Sequence, residues 1–112
     1  MILSKKKIAN IENRLNELDN VNRHIQLDVI TDLETPIKRP GTDIVLYGLY
    51  YRVSLQDRFN NIIEQTELKE DAPGTKPADL IHYFTSRYNV PVKMTFYDIQ
   101  NGVEVKKVLK VI

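Results

Sequence analysis

Apolar residues at Ile8, Ile11, Leu15, Leu18, Ile25 and Val29 step along the first third of the chain at heptad a/d spacing. Asn22 fills the one a position that the apolar series skips, and a single Asn there is a known device for setting coiled-coil register and strand number. The positions between are mainly polar (Asn10, Glu12, Asn13, Arg14, Asn16, Glu17, Asp19, Asn20), and no Gly or Pro interrupts residues 1–34. This pattern predicts a long N-terminal amphipathic helix. Ser4 suits its N-cap. Lys5, Lys6 and Lys7 oppose the helix dipole at roughly 0.3–1 kcal/mol each, so the first turn frays or meets an anionic partner. A second reading breaks the helix near Asn22. Ile25, Leu27 and Val29 alternate with Gln26, Asp28 and Ile30, so residues 24–31 also read as a strand. The continuous helix is preferred. It could pack on its own domain, but the narrow seam and Asn22 favour a partner helix, because a helix packed on a sheet shows a broader apolar face.

Thr35-Pro36-Ile37-Lys38-Arg39-Pro40-Gly41-Thr42 reads as a linker, since its prolines remove donors and restrict their neighbours. Residues 43–112 then form a second unit. Val45, Tyr47, Leu49, Tyr51, Val53 and Leu55 alternate with Leu46, Gly48, Tyr50, Arg52 and Ser54, the period of a pleated strand, with a bend or bulge expected at Gly48. Residues 53–62 parallel residues 94–103: each has a strand, then Asp, then Asn-Asn or Asn-Gly, then a β-branched residue. Asn-Gly accepts the positive φ of a tight hairpin turn, so two hairpins are preferred, although residues 54–66 also carry a helical spacing. Between them lie the loop 69–77 and a helix over 77–88, with Leu80, Ile81, Phe84 and Tyr88 on one face and Asn89 at its C-terminal cap. The expected fold is α+β: a long N-terminal helix, a linker and a compact ββαββ domain.

Composition narrows the chemistry. The 112 residues are 42% hydrophobic and 28% charged, with 16 basic against 15 acidic side chains. That balance argues against a strongly basic nucleic-acid coat or an acidic nucleic-acid mimic. With no cysteine there is no disulfide, thiolate or zinc-thiolate chemistry. No apolar run reaches the roughly 20 residues of a membrane span, and the order of apolar and charged residues at the start is wrong for a signal peptide. A cytoplasmic location is expected, or host cytoplasm or virion for a phage protein.

Candidate sites are few. His24 and His82 lie far apart without metal-ligand spacing, so neither a metal nor another cofactor is expected. Residues 73–77 superficially resemble the end of a phosphate loop but lack its first glycine, and Pro77 removes a needed N–H. Asp57, Glu67 and Lys69 follow the order of a metal-dependent nuclease, yet Glu-x-Lys is common on exposed strands and Asp57 suits a turn. A sheet face carrying Tyr50, Arg52, Lys93, Tyr97, Lys106 and Lys110 interleaves cations and aromatics, as single-stranded nucleic-acid binders do. If residues 24–31 are a strand, the order βββαββ is that of OB-folds. The favoured expectation is a non-enzymatic assembly or adaptor protein. It would bind itself and other proteins through Ile8, Ile11, Leu15, Leu18, Asn22, Ile25 and Val29, with nucleic acid as the alternative partner and no membrane. Abundant Asn, Lys and Ile fit an AT-rich genome and suggest a phage or virus structural or accessory component.

Overall fold

The computed structural model describes residues 5–17, 22–38, 41, 45–69 and 75–107. The elements run α1 (Lys5–Glu17), β1 (Arg23–Lys38), β2 (Val45–Asp57), β3 (Ile62–Leu68), α2 (Pro77–Tyr88), β4 (Val92–Gln100) and β5 (Val103–Lys106). The strands form one five-stranded sheet in the order β3-β2-β1-β4-β5. All neighbours are antiparallel except β1 and β4, which run parallel with Ile25 opposite Val92 and Thr31 opposite Asp98.

The long N-terminal helix does not form. Helix α1 ends at Glu17 and residues 23–38 are a strand, so the seam from Ile8 to Val29 does not lie along one helix. The reason is visible in the residues. Ile25 and Val29 are four apart and satisfy both the helical and the strand period; Leu27, midway between them, separates the two. On a helix it would sit on the far side, whereas on a strand it joins them. In the structure Ile25, Leu27 and Val29 are all buried. They lie opposite Leu55, Val53 and Tyr51 of β2. The stretch expected as a linker is partly strand as well, since residues 35–38 belong to β1. The sheet thus draws strands from both sides of that stretch. Leu18, and residues 39, 40 and 42 of the expected linker, lie outside the described residues.

Both hairpins are present. Asn60, with φ 65°, turns β2 into β3, and Asn101 (φ 54°) with Gly102 (φ 76°) turns β4 into β5. Two consecutive left-handed residues make the second a type I′ turn, whose twist matches that of the strands. Between Asp32 and Ile37 the β1–β2 register jumps opposite Gly48, whose φ of 145° suits glycine.

Both helices cover the sheet face that carries Ile25, Leu27, Val29, Tyr51, Val53, Leu55 and Leu68. Helix α1 contributes Ile8, Ile11 and Leu15, and α2 contributes Leu80 and Phe84, all buried. Each such side chain is worth roughly 1.5–3 kcal/mol of burial. Asp79 accepts the Lys76 backbone N–H at 3.0 Å and holds the α2 start. Asn89 (φ 49°) closes its end by donating to the Thr85 carbonyl at 3.2 Å. The two helices are pinned together through Glu12, whose carboxylate accepts the hydroxyls of Tyr83 and Tyr88. Burial, reinforced by Glu12, pushes the ionisation of both tyrosines up.

Urea unfolding reads out both the strand and the helix clasp. Leu27→Ala is expected to cost about 2–5 kcal/mol, as removal of a buried leucine does, whereas on the heptad helix Leu27 would be off the seam and dispensable. The folded tyrosine pKa values lie above the unfolded value of about 10. Their contribution is therefore complete below about pH 10 and drains away as pH rises further. The urea midpoint falls on the alkaline side of about pH 10, and less steeply in Tyr83→Phe/Tyr88→Phe.

Candidate functional site on the helix-free face

The opposite face of the sheet carries His24, Gln26, Asp28, Ile30 and Asp32 of β1, Tyr50, Arg52 and Ser54 of β2, Gln65 and Glu67 of β3, Lys93, Thr95, Tyr97 and Ile99 of β4, and Glu104 and Lys106 of β5. This follows from the strand register and the alternation of side chains. Arg52 is at its centre. Its Nε donates to Asp28 Oδ2 at 3.0 Å, and Nη1 and Nη2 donate to the two oxygens of Glu104 at 2.6 and 3.0 Å. Gln26 Nε2 donates to Asp28 Oδ1 at 2.9 Å and to Thr95 Oγ1 at 2.8 Å. The guanidinium lies 5.8 Å from the centroid of the Tyr97 ring.

This network requires a bent sheet. Arg52 lies opposite Asp28, and Asp28 opposite Thr95, but Glu104 lies opposite Ile99, farther along β4. In a flat sheet the two residues would be separated by three strand widths, roughly 14 Å, and by roughly 13 Å along the strands. Their side chains cannot span both. The sheet therefore curls diagonally toward its helix-free side, as staggered strands do on the way to a barrel. Inside the curl Ile30 is 0% exposed and Tyr50 6%, although both helices lie on the other face.

A second clasp holds the same curl. Asp32 Oδ1 accepts the backbone N–H groups of Glu34 and Thr35 at 3.0 and 2.9 Å, shaping the register jump in β1. Glu34, thus presented, accepts the N–H groups of Asn101 and Gly102 at 2.9 Å each, the tip of the β4–β5 hairpin.

The sequence-derived candidates fall out as follows. Ile8, Ile11, Leu15, Ile25 and Val29 are buried in the chain's own core, and Asn22 is exposed at a bend before β1. Of the aromatic and basic set, Tyr50 is buried, Arg52 is engaged by two carboxylates and Tyr97 is half-buried beside it. Lys93 and Lys106 are exposed on the same face, and Lys110 lies outside the described residues. The element order βββαββ follows α1, but as an open sheet with a parallel β1–β4 pair among the described residues rather than a Greek-key barrel. Asp57 is a turn residue: its carboxylate accepts the N–H groups of Phe59 and Asn61 at 2.8 and 3.0 Å and the Asn61 side chain at 3.1 Å. These bonds, the Asn61 backbone first, lower its pKa. Glu67 pairs with Lys69 at 3.7 Å on the helix-free face, so the nuclease-like trio does not converge. His24 meets Gln56 at 3.0 Å on β1, while His82 is exposed on α2. Among the described residues no three His, Asp or Glu side chains gather as a metal site, and no helix is long and apolar enough to cross a membrane.

Sequence reasoning missed Asp28, Glu104 and Glu34. The signal for Asp28 was its place inside the apolar run Ile25–Ile30, because a carboxylate carried into a core must be paired there. The arrangement neutralises charge and holds curvature. It does not leave the cationic surface with open aromatic rings that stacking on bases needs.

Removing Arg52 strands the buried Asp28. Arg52→Leu is expected to cost about 3–5 kcal/mol in urea unfolding, and Glu104→Gln, at the half-exposed end, about 1 kcal/mol. The bond from Arg52 holds the Glu104 carboxyl below the usual carboxylate range. Its contribution is therefore complete above the ordinary glutamate value of about 4.3 and is lost as pH falls through the lowered one. The acid-side fall in wild-type stability is expected to be shallower in Glu104→Gln.

Comparison with known proteins returned no matching family model, no matching curated protein and no matching solved structure.

Proposed function

We propose that this chain is a non-enzymatic assembly protein that joins other protein chains through its outer hairpin, β4–β5, rather than through its N-terminal helix. One observation carries the reading. Val103 and Val105, on the edge strand β5, are 61% and 39% exposed, side by side on the helix-side face of the sheet. Edge strands are natural templates for another chain, and proteins that stay apart blunt them with short strands, charges, bulges, prolines or cover. Strand β5 is short and carries Glu104 and Lys106 among its four residues, but it has no bulge or proline. Here the hairpin is instead stiffened by a type I′ turn and by Glu34 at its tip. A rigid edge loses little conformational freedom when a partner adds to it. The apolar face of α1, which the heptad pattern offered to a partner, is consumed by the chain's own core. A phage or virus particle is the setting we favour, on the strength of the Asn-, Lys- and Ile-rich composition.

Light scattering during size-exclusion chromatography of the full chain tests the reading over a range of concentrations. The expected mass is a multiple of 13.0 kDa. Val103→Glu/Val105→Glu is expected to return it to the monomer with an unchanged circular dichroism spectrum. A wild-type monomer at every concentration would overturn the proposal. Absorbance at about 260 nm that leaves the protein at high salt would put nucleic acid in the partner's place.

A further inference from the structure

Strand β5 has a self-complementary edge. We propose that a second copy of this chain pairs with it antiparallel, on a two-fold axis through Val105. The inference rests on the assembly reading above and specifies its geometry.

The alternation of backbone hydrogen bonds along β5 decides which groups remain for a partner. Gln100 and Val103 flank the two-residue turn and form its hydrogen-bonded closing pair. The pattern then alternates, so Val103 and Val105 direct N–H and C=O toward β4, and Lys107 does the same, donating to the Phe96 carbonyl at 2.8 Å. Glu104 and Lys106 therefore direct theirs to the outer edge. Among the described residues β5 is the last strand on that side.

A two-fold axis perpendicular to the sheet keeps each face continuous only if it passes through a residue position. Centred on Glu104, the pairing sets like charges opposite each other; centred on Lys106, it does the same with the lysines. Centred on Val105, Glu104 stands opposite Lys106 of the second copy, twice by symmetry. These are the residues with outward-facing backbone groups, so each Glu104–Lys106 pair is also a hydrogen-bonded pair. Val105 then meets its own copy as a non-hydrogen-bonded pair, the closer kind, at a Cα separation of about 4.5 Å. Val103 lies diagonal to the Val105 of the second copy, so the four exposed valines meet on the helix-side face. On the other face, Glu104 already binds Arg52 through both oxygens, and a carboxylate has lone pairs enough for Lys106 of the second copy as well.

The register is testable because the chain has no cysteine of its own. Full-length Val105→Cys is expected to form an intermolecular disulfide on air oxidation, since a Cα separation of about 4.5 Å lies within disulfide range. Val103→Cys is expected not to, because the two copies of that position would be displaced by four residues along the paired strands. Lys106→Pro removes an outward N–H without touching the bonds to β4, and proline is tolerated on an edge. It is expected to convert the dimer, at twice 13.0 kDa, to monomer with an unchanged circular dichroism spectrum. A wild-type oligomer in which Val105→Cys fails to cross-link and Lys106→Pro keeps its mass overturns this register but leaves assembly standing. A wild-type monomer overturns both.

Discussion

An arginine on β2 cannot hold a glutamate on β5 unless the strands between them bend. Arg52 does so, and much of the molecule follows from the bend. It brings the far ends of the sheet toward one another and closes Ile30 and Tyr50 away from water without a covering layer. Asp28, a carboxylate in the middle of the central strand, needs no bend to meet the same guanidinium, because Arg52 stands directly opposite it. Two carboxylates on one arginine leave this face without an excess of positive charge. The ion pairs are worth little as attractions weighed against an apolar alternative. Their effect is on shape, since a flat sheet would leave one of them unmade.

The remaining parts answer to the same geometry. Curvature toward one face makes the other convex, and the two helices lie on that convex side, joined at Glu12 by Tyr83 and Tyr88. The outer hairpin would be free to swing without a tether. Asp32 and Glu34 supply it: one carboxylate shapes the break in β1, and the other reaches from that break to the backbone of the turn. A rigid edge strand results, on the side of the sheet away from α1.

The two hairpins and helix α2 were legible in the residues, but the expected fold of a long helix and a ββαββ domain was not the one formed, since β1 is the central strand. Asn101-Gly102 marks its hairpin because only a few residue types tolerate two successive left-handed conformations, and the parallel with Asn60-Asn61 extended that reading to β2–β3. Helix α2 was bounded by Pro77 and Asn89 for similar local reasons. What failed was the stretch after Glu17, where the spacing of Ile25 and Val29 by four fits both periods and the one local discriminator, Leu27, was outweighed by the heptad. Leu27 goes inside because Val53 and Met94 lie beside it, and no local pattern contains them. The Arg52 network was invisible for the same reason: Asp28 and Glu104 are far apart in sequence, and the curl that unites them is a property of the whole sheet. Tyr50, Arg52, Tyr97 and Lys106 share one face by register, but alternation carries no information about which of them are already occupied.

The parallel pairing of β1 with β4 has a consequence for how the protein comes into being. Ile25 meets Val92, and every element from β2 to α2 is made between them. During synthesis β1 can pair early with β2, its neighbour in the chain, but its second edge has no mate until β4 has left the ribosome. Contacts of such long sequence separation are slow to form. A half-built sheet with an open central strand is thus an unavoidable stage in the life of each newborn chain, and the stage most exposed to mispairing with another.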